Sequence, residues 1–402
     1  LAVALAASGQ RVVFLTARDD AEREPLPGVQ IRKFEQHRTP SGAGHHYLLS
    51  TEEAVLKGQA VLRAIAGLLE EGFQPRLVIN HGGMGLGLFV KDLLPKAVQI
   101  GYFEWYFTPE TSRHLLAAFT LDTQLQTSLR NLPILQELER CDGAVVPTVW
   151  QKQQFPPAFQ QKLTVIFDGI DEGFFHQPAE TVDEASKLGG ELTIANRDTA
   201  ERVMIGAGRR LLSYATRGME PLRGFPEFLR AAAALLGKFE DLEVVIAGAD
   251  RRAYSYDAPS HGGSWKEHLL AELGSFAGRE RLHFCGLLTY PHYRALLWRS
   301  TLHCYFTRPY VTSWSLFEAA ACGARLAVNQ SPATEGVAEG SRVCWVNLDN
   351  PNGLIQKLGQ GLATPGPRAQ ILPGFGLGQC LEQWQELLNR SLQAGATATA
   401  PS

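Results

Sequence analysis

The sequence predicts an α/β protein of two doubly wound, Rossmann-like domains with parallel sheets, and three observations carry that reading. Short apolar runs of β type alternate with longer amphipathic stretches, the pattern of strands joined by crossover helices. The alternation breaks once, between Pro178 and Arg202, where the chain turns polar, carries Gly189-Gly190 and loses periodicity. At 402 residues, 45% hydrophobic and 20% charged, the chain is too long for one small core and suits two or three domains.

The elements follow in order. A helix-like run, Leu1 to Ser8, is closed by Gly9 and followed at once by a strand, so a first strand is expected to be missing upstream and the chain to be N-terminally truncated. Strands are predicted at Arg11–Thr16, Val29–Phe34, Leu77–Asn80, Ala97–Glu104, Gly143–Thr148 and Leu163–Ile166, with helices over Glu52–Glu71, Leu86–Leu94 and Leu121–Glu139. The second series places strands at Arg210–Thr216, Glu243–Ala249, Arg281–Cys285, Leu302–Phe306, Arg325–Val328 and Val343–Val346. Its helices fit Phe225–Phe239, Trp265–Phe276, Pro291–Arg299, Ser315–Cys322 and Leu354–Leu362. The expected organisation is a first domain over 1–178, a linker over 179–205, a second domain over 206–392 and a disordered Ala/Thr/Pro/Ser tail over 393–402. Two such domains are expected to share a cleft at the carboxyl ends of their strands.

Composition excludes several classes of function. Thirty-eight Lys plus Arg stand against 41 Asp plus Glu, a net charge of -3 with no basic run, which argues against nucleic acid as a partner. No apolar stretch approaches a bilayer span; a peripheral membrane contact stays open, although no basic amphipathic helix supports it. The six cysteines include no Cys-x-x-Cys pair, so neither a disulfide scaffold nor a thiolate metal site is expected. A cytoplasmic, reducing compartment fits.

Two runs could carry chemistry. In Tyr214-Ala-Thr-Arg217-Gly-Met-Glu-Pro-Leu-Arg223-Gly224-Phe225, two arginines six apart flank a turn whose glycine opens a helix. Guanidinium groups and helix amides together suit a phosphate or diphosphate, whereas the bland alternative is a solvated loop. In Thr307-Arg-Pro-Tyr310-Val-Thr-Ser-Trp-Ser-Leu-Phe-Glu318-Ala-Ala-Ala-Cys-Gly323, a strand ends and a helix starts near Ser313. Glu318, one turn into that helix, either complements a helix dipole or accepts two ribose hydroxyls.

These residues resemble family 4 of the retaining GT-B glycosyltransferases. Arg217 and Arg223 match the family's Arg/Lys pair, and Tyr310 to Glu318 lies on its Glu-x7-Glu motif. Val165-Ile-Phe-Asp-Gly-Ile-Asp171 resembles its Asn-Gly-(Ile/Val)-Asp strand end, and Phe284-Cys-Gly286 its Phe-x-Gly turn beside the nucleotide base. The resemblance implies a GT-B fold and transfer of a sugar from a UDP- or GDP-sugar to a glycan, lipid-linked or small-molecule acceptor. A pathway of polysaccharide biosynthesis would follow, with neither cofactor nor metal. Arg217 and Arg223 would hold the diphosphate and Glu318 the ribose. The backbone amides of Ser313, Trp314 and Ser315 would meet the phosphate or sugar, and Gly286 would border the base. Glu104, where the family often has His, would face the cleft and join the chemistry; His81 would be a loop histidine beside the substrate. Three departures stand out: Tyr310 replaces the first Glu, Arg223 the usual Lys, and the glycine-rich loop after the first strand is absent.

Three alternatives compete. Gly82-Gly-Met-Gly-Leu-Gly87 with Glu104 partly imitates a dinucleotide fingerprint, but its glycine spacing is not Gly-x-Gly-x-x-Gly, which weakens an NAD-dependent dehydrogenase. A non-catalytic nucleotide-sugar-binding or scaffold protein and an epimerase of the same fold remain.

Overall fold

The structure, a computed structural model, describes residues 1–21, 25–116, 118–178, 189–259, 262–338 and 340–398. It divides into two compact units, one formed by Leu1–Ser112, Thr120–Gly169 and the chain from Gly378 onward, the other by Arg113–Phe119 and Ile170–Leu377.

In unit 1, β1 (Val12–Thr16) pairs in parallel with β2 (Val29–Lys33). A second parallel sheet runs in the order β3 (Leu77–His81), β4 (Val98–Tyr102), β5 (Gly143–Val146) and β6 (Leu163–Val165). The 22-residue helix Leu49–Glu70 buries Ala60, Val61 and Ile65 in a cluster with Phe34, Val90 and Leu94. Where one helix was expected over Leu121–Glu139, two occur, Leu121–Leu129 and Leu132–Arg140. Pro133 explains the break, because it has no N–H to donate and must sit in a first turn.

The expected disordered tail is corrected: a helix runs from Leu377 to Ala398. Trp384, Leu387 and Leu388, at i, i+3 and i+4, pack on Val98, Ile100, Val145 and Ile166 of the unit 1 sheet. Residues 399–402 of that tail lie outside the described set. The domain boundary also moves, from 178 to Ile170, which pairs with Gly376 and exchanges backbone hydrogen bonds with Phe375 and Leu377.

Unit 2 begins with β7 (Leu192–Ala195) and β8 (Arg202–Ile205), followed by β9 (Arg210–Gly218), β10 (Leu242–Ala249), β11 (Leu282–Phe284), β12 (Leu302–Tyr305), β13 (Leu326–Asn329) and β14 (Cys344–Val346). The last six form a parallel sheet in the order β11-β10-β9-β12-β13-β14. Successive residues of β9 and β10 alternate between two cores. Leu212, Tyr214, Val244 and Ile246 face the helices Phe225–Lys238 and Pro351–Ala363, whereas Leu211, Val245 and Ala247 face the other way.

That second core explains what the polar stretch is. Within the expected linker, β7 and β8 form an antiparallel hairpin that contributes Leu192, Ile194 and Ile205. Residues 179–188 lie outside the described set. Buried Arg299 fixes the hairpin, donating to the carbonyls of Gly190, Gly206 and Arg209.

Candidate functional site

The two runs, Tyr214–Phe225 and Thr307–Gly323, lead off the carboxyl ends of β9 and β12, which are neighbours near the middle of the unit 2 sheet. β9 ends on Arg217 and Gly218; a short turn, Pro221–Arg223, then delivers the second arginine. Gly224 follows at φ +65°, and a Cβ there would sit 2.7 Å from the Phe306 Cβ. Only glycine makes that turn into the helix Phe225–Lys238 without strain.

Arg223 is 5% exposed. Its Nη1 donates to Thr307 Oγ1 at 2.7 Å and to the Val311 carbonyl at 3.0 Å, and its guanidinium lies over the Tyr254 ring, 5.0 Å from the centroid. Those partners are all neutral, so a buried cation stands without a countercharge among the described residues, an arrangement that favours an anion. Arg217 is exposed, and its Nη1 reaches the Tyr254 hydroxyl at 3.4 Å. One tyrosine therefore touches both arginines.

Glu318 lies on the helix Trp314–Ala321, which Ser313 caps through its side chain. Burial pushes the Glu318 carboxyl up to about 7, and it has no side-chain hydrogen-bond partner among the described residues. The Tyr290 hydroxyl is raised above its ordinary value chiefly by burial and then by the Glu318 charge, with the Arg217 charge opposing. Tyr310 packs against Tyr254, ring centroids 6.0 Å apart.

The expected helix-end amides are partly occupied: Ser313 N donates to the Tyr305 hydroxyl at 2.8 Å and Ser315 N to Ser313 Oγ at 3.4 Å. Trp314 is half exposed. Gly286, at φ +59°, has the Asn196 side chain so close that a Cβ would meet Nδ2 at 2.2 Å, and its carbonyl accepts from Gly248 N. Its surroundings therefore come from the hairpin turn as well as from β11. Sequence reasoning misses Glu220 and Tyr254. Glu220 is fully buried and binds the backbone of 253–255, a contact across 33 to 35 positions that no local spacing announces.

In unit 1, His81 closes β3 and Glu104 follows β4, with His81 Nε2 3.5 Å from Glu104 Oε2. Burial alone would lower the imidazole, but its hydrogen bond to Glu104 and the Glu104 and Glu137 charges raise it above its ordinary value. Tyr102 packs on the His81 ring and donates to Asp168 Oδ2 at 2.8 Å. The glycine loop after His81 is held by Glu137, which accepts from Gly85 N at 2.9 Å and Asn80 Nδ2 at 3.0 Å. Burial pushes that carboxyl up to about 7. The loop's glycines thus serve a buried acid, and nothing there matches a dinucleotide cradle. Among the described residues, no three His, Cys, Asp or Glu side chains gather as metal ligands, and no helix is long and apolar enough to cross a membrane.

Two parallel-sheet units with charged groups at the strand ends define the class. The chain has the GT-B fold: it is similar to sucrose-phosphate synthase from Thermosynechococcus elongatus at 14% identity, TM-score 0.67, over 98% of this chain and 92% of that one. It is also similar to Anabaena HepE, solved in complex with UDP and glucose, at 14% identity, TM-score 0.60, over 96% and 94%. A UDP-forming trehalose-phosphate synthase from Burkholderia vietnamiensis matches at 13% identity, TM-score 0.61, over 99% and 92%. The family model described as the glycosyl transferase family 4 group matches residues 8–175. No curated protein sequence matches the chain.

Proposed function

We propose that the chain is a retaining glycosyltransferase that moves a sugar from a nucleoside-diphosphate donor, UDP or GDP, to a hydroxyl of a glycan, lipid-linked or small-molecule acceptor. The observation that carries this is Arg223, a buried guanidinium whose partners are all neutral, six residues from Arg217 and in the turn after β9, the strand that pairs with the one leading to Glu318. The UDP and glucose bound to HepE support a nucleotide donor for this fold.

In this reading Arg217 and Arg223 hold the diphosphate and Glu318 accepts the ribose hydroxyls. As the C1–O bond breaks, its electron pair passes to the β-phosphate oxygen, where the two guanidinium groups stabilise the growing charge. They supply the positive charge that a metal ion gives in other transferases. The acceptor oxygen attacks C1 from the same face, and its proton leaves with the departing phosphate.

The test incubates the chain with UDP- and GDP-sugars and candidate acceptors. Release of nucleoside diphosphate with an α-configured product from an α-linked donor, read by proton NMR, supports the proposal; an inverted product contradicts it. Tyr310, standing where the motif has a carboxylate, favours a second reading, binding without turnover. Nucleotide binding with no product from any donor would support that one instead.

A further inference from the structure

We propose that Tyr254, anchored by Glu220, is a positioning residue that sets Arg217 and Arg223 as a pair for one diphosphate. The inference rests on the donor-site reading above and names a device outside the motif residues.

Glu220 stands between the two arginines in sequence, yet it makes no ion pair with either. It is fully buried, and its Oε2 accepts from the backbone N–H of Ala253 at 3.0 Å, Tyr254 at 3.1 Å and Ser255 at 2.9 Å, with Oε1 3.2 Å from Tyr254 N. Three successive amides turned onto one carboxylate fix the backbone of 253–255, and charge-assisted bonds of this kind are the strong ones. The next residues are tied from another side: the Leu115 carbonyl accepts from Tyr256 N at 2.7 Å and from Ser255 Oγ at 3.4 Å. The loop after β10 is thus clamped on both sides of Tyr254.

What that clamp presents is one ring and one hydroxyl. The ring lies under the Arg223 guanidinium, and the hydroxyl is within 3.4 Å of Arg217 Nη1. Gathering two like charges on one ligand costs both mutual repulsion and side-chain ordering. A rigid aromatic partner shared by both lowers the ordering cost of gathering them on a ligand. A buried carboxylate used only for backbone amides suits this purpose better than an ion pair, since pairing would cancel the positive charge that the diphosphate needs.

The test is calorimetric titration of the full chain with UDP, UMP, GDP and inorganic pyrophosphate, which carries the diphosphate and no base. Tyr254→Leu is expected to weaken pyrophosphate and UDP about tenfold and to lower the UDP-to-UMP affinity ratio, with the thermal midpoint unchanged. Tyr254→Phe keeps the ring and is expected to recover part of the loss. Glu220→Gln should reproduce the Tyr254→Leu pattern; if it fails to fold, the two Tyr254 variants decide. Equal weakening of UDP and UMP, or unchanged pyrophosphate binding in Tyr254→Leu, overturns the inference. If Arg217→Ala still loses binding in that case, the donor-site reading stands. Wild-type chain that binds none of the four overturns both.

Discussion

Glu318 is where residue chemistry and pH meet. Its carboxyl, pushed up to about 7 by burial, keeps its proton in the folded chain over a range in which the unfolded chain has lost it. Stability therefore falls as pH rises from about 4.5 to 7 on account of this residue, and Glu318→Gln removes that dependence. Donor binding has the opposite sign. Ribose hydroxyls are accepted best by the ionised form, so nucleoside-diphosphate affinity is expected to rise up to about tenfold between pH 6 and 8, relative to Glu318→Gln titrated alongside. Calorimetric dissociation constants at three pH values check this. Arg223→Lys should cost more than its conserved charge suggests. Nη1 alone donates to Thr307 Oγ1 and the Val311 carbonyl, so a lysine nitrogen in its place keeps those two bonds but loses the second nitrogen that the guanidinium offers to a ligand, and turnover should fall about tenfold to a hundredfold. Arg217, Arg223 and Glu318 were legible because each lies in a run of fixed spacing. Tyr254 and Glu220 were not, because only the fold brings them together.

At the scale of elements, the turn from β9 into its helix depends on Gly224. A Cβ at that position combines a left-handed backbone with a 2.7 Å approach to Phe306. Gly224→Ala should lower stability by about 1–3 kcal/mol, read from the urea midpoint, and displace Arg223, so the donor KM should rise as well. The strands of both sheets could be read from alternating apolar runs, since strands buried on both faces show continuous hydrophobicity. The β7–β8 hairpin could not. Leu192 and Ile194 give only two apolar positions, too few to establish a period amid polar neighbours, and their burial depends on a sheet face formed by distant residues. The last helix was readable in principle: Cys380, Trp384, Leu387 and Leu388 fall at i, i+4, i+7 and i+8. The Ala/Thr-rich composition of the end of the chain obscured it.

For the whole molecule, two features set stability. His303 is fully buried between Ser213, whose hydroxyl is 2.7 Å from Nδ1, and a sheet core, and burial holds its imidazole down to about 3. The unfolded chain takes up that proton near 6.5 while the folded chain refuses it, so stability is lost as pH falls from 6.5 toward 3. On account of His303, the urea midpoint of the wild type should fall relative to that of His303→Asn as pH is lowered from 7 to 5. Trp384 closes the unit 1 sheet from the last helix, and Trp384→Ala should cost about 3–5 kcal/mol there. Proteolysis should then cut unit 1 faster than unit 2. The two-unit division was visible in the sequence, but the return of the chain to unit 1 was not, because it depends on a contact between Ile170 and the 375–377 segment.

The central claim is that Arg217, Arg223 and Glu318 form one nucleotide site, and calorimetric titration of UDP and GDP into wild-type chain and an Arg217→Ala/Glu318→Ala double variant tests it most directly. The account predicts micromolar-range binding of one of the two, lost by at least a hundredfold in a double variant with an unchanged thermal midpoint. Equal binding by wild type and variant would place the nucleotide elsewhere and contradict the account.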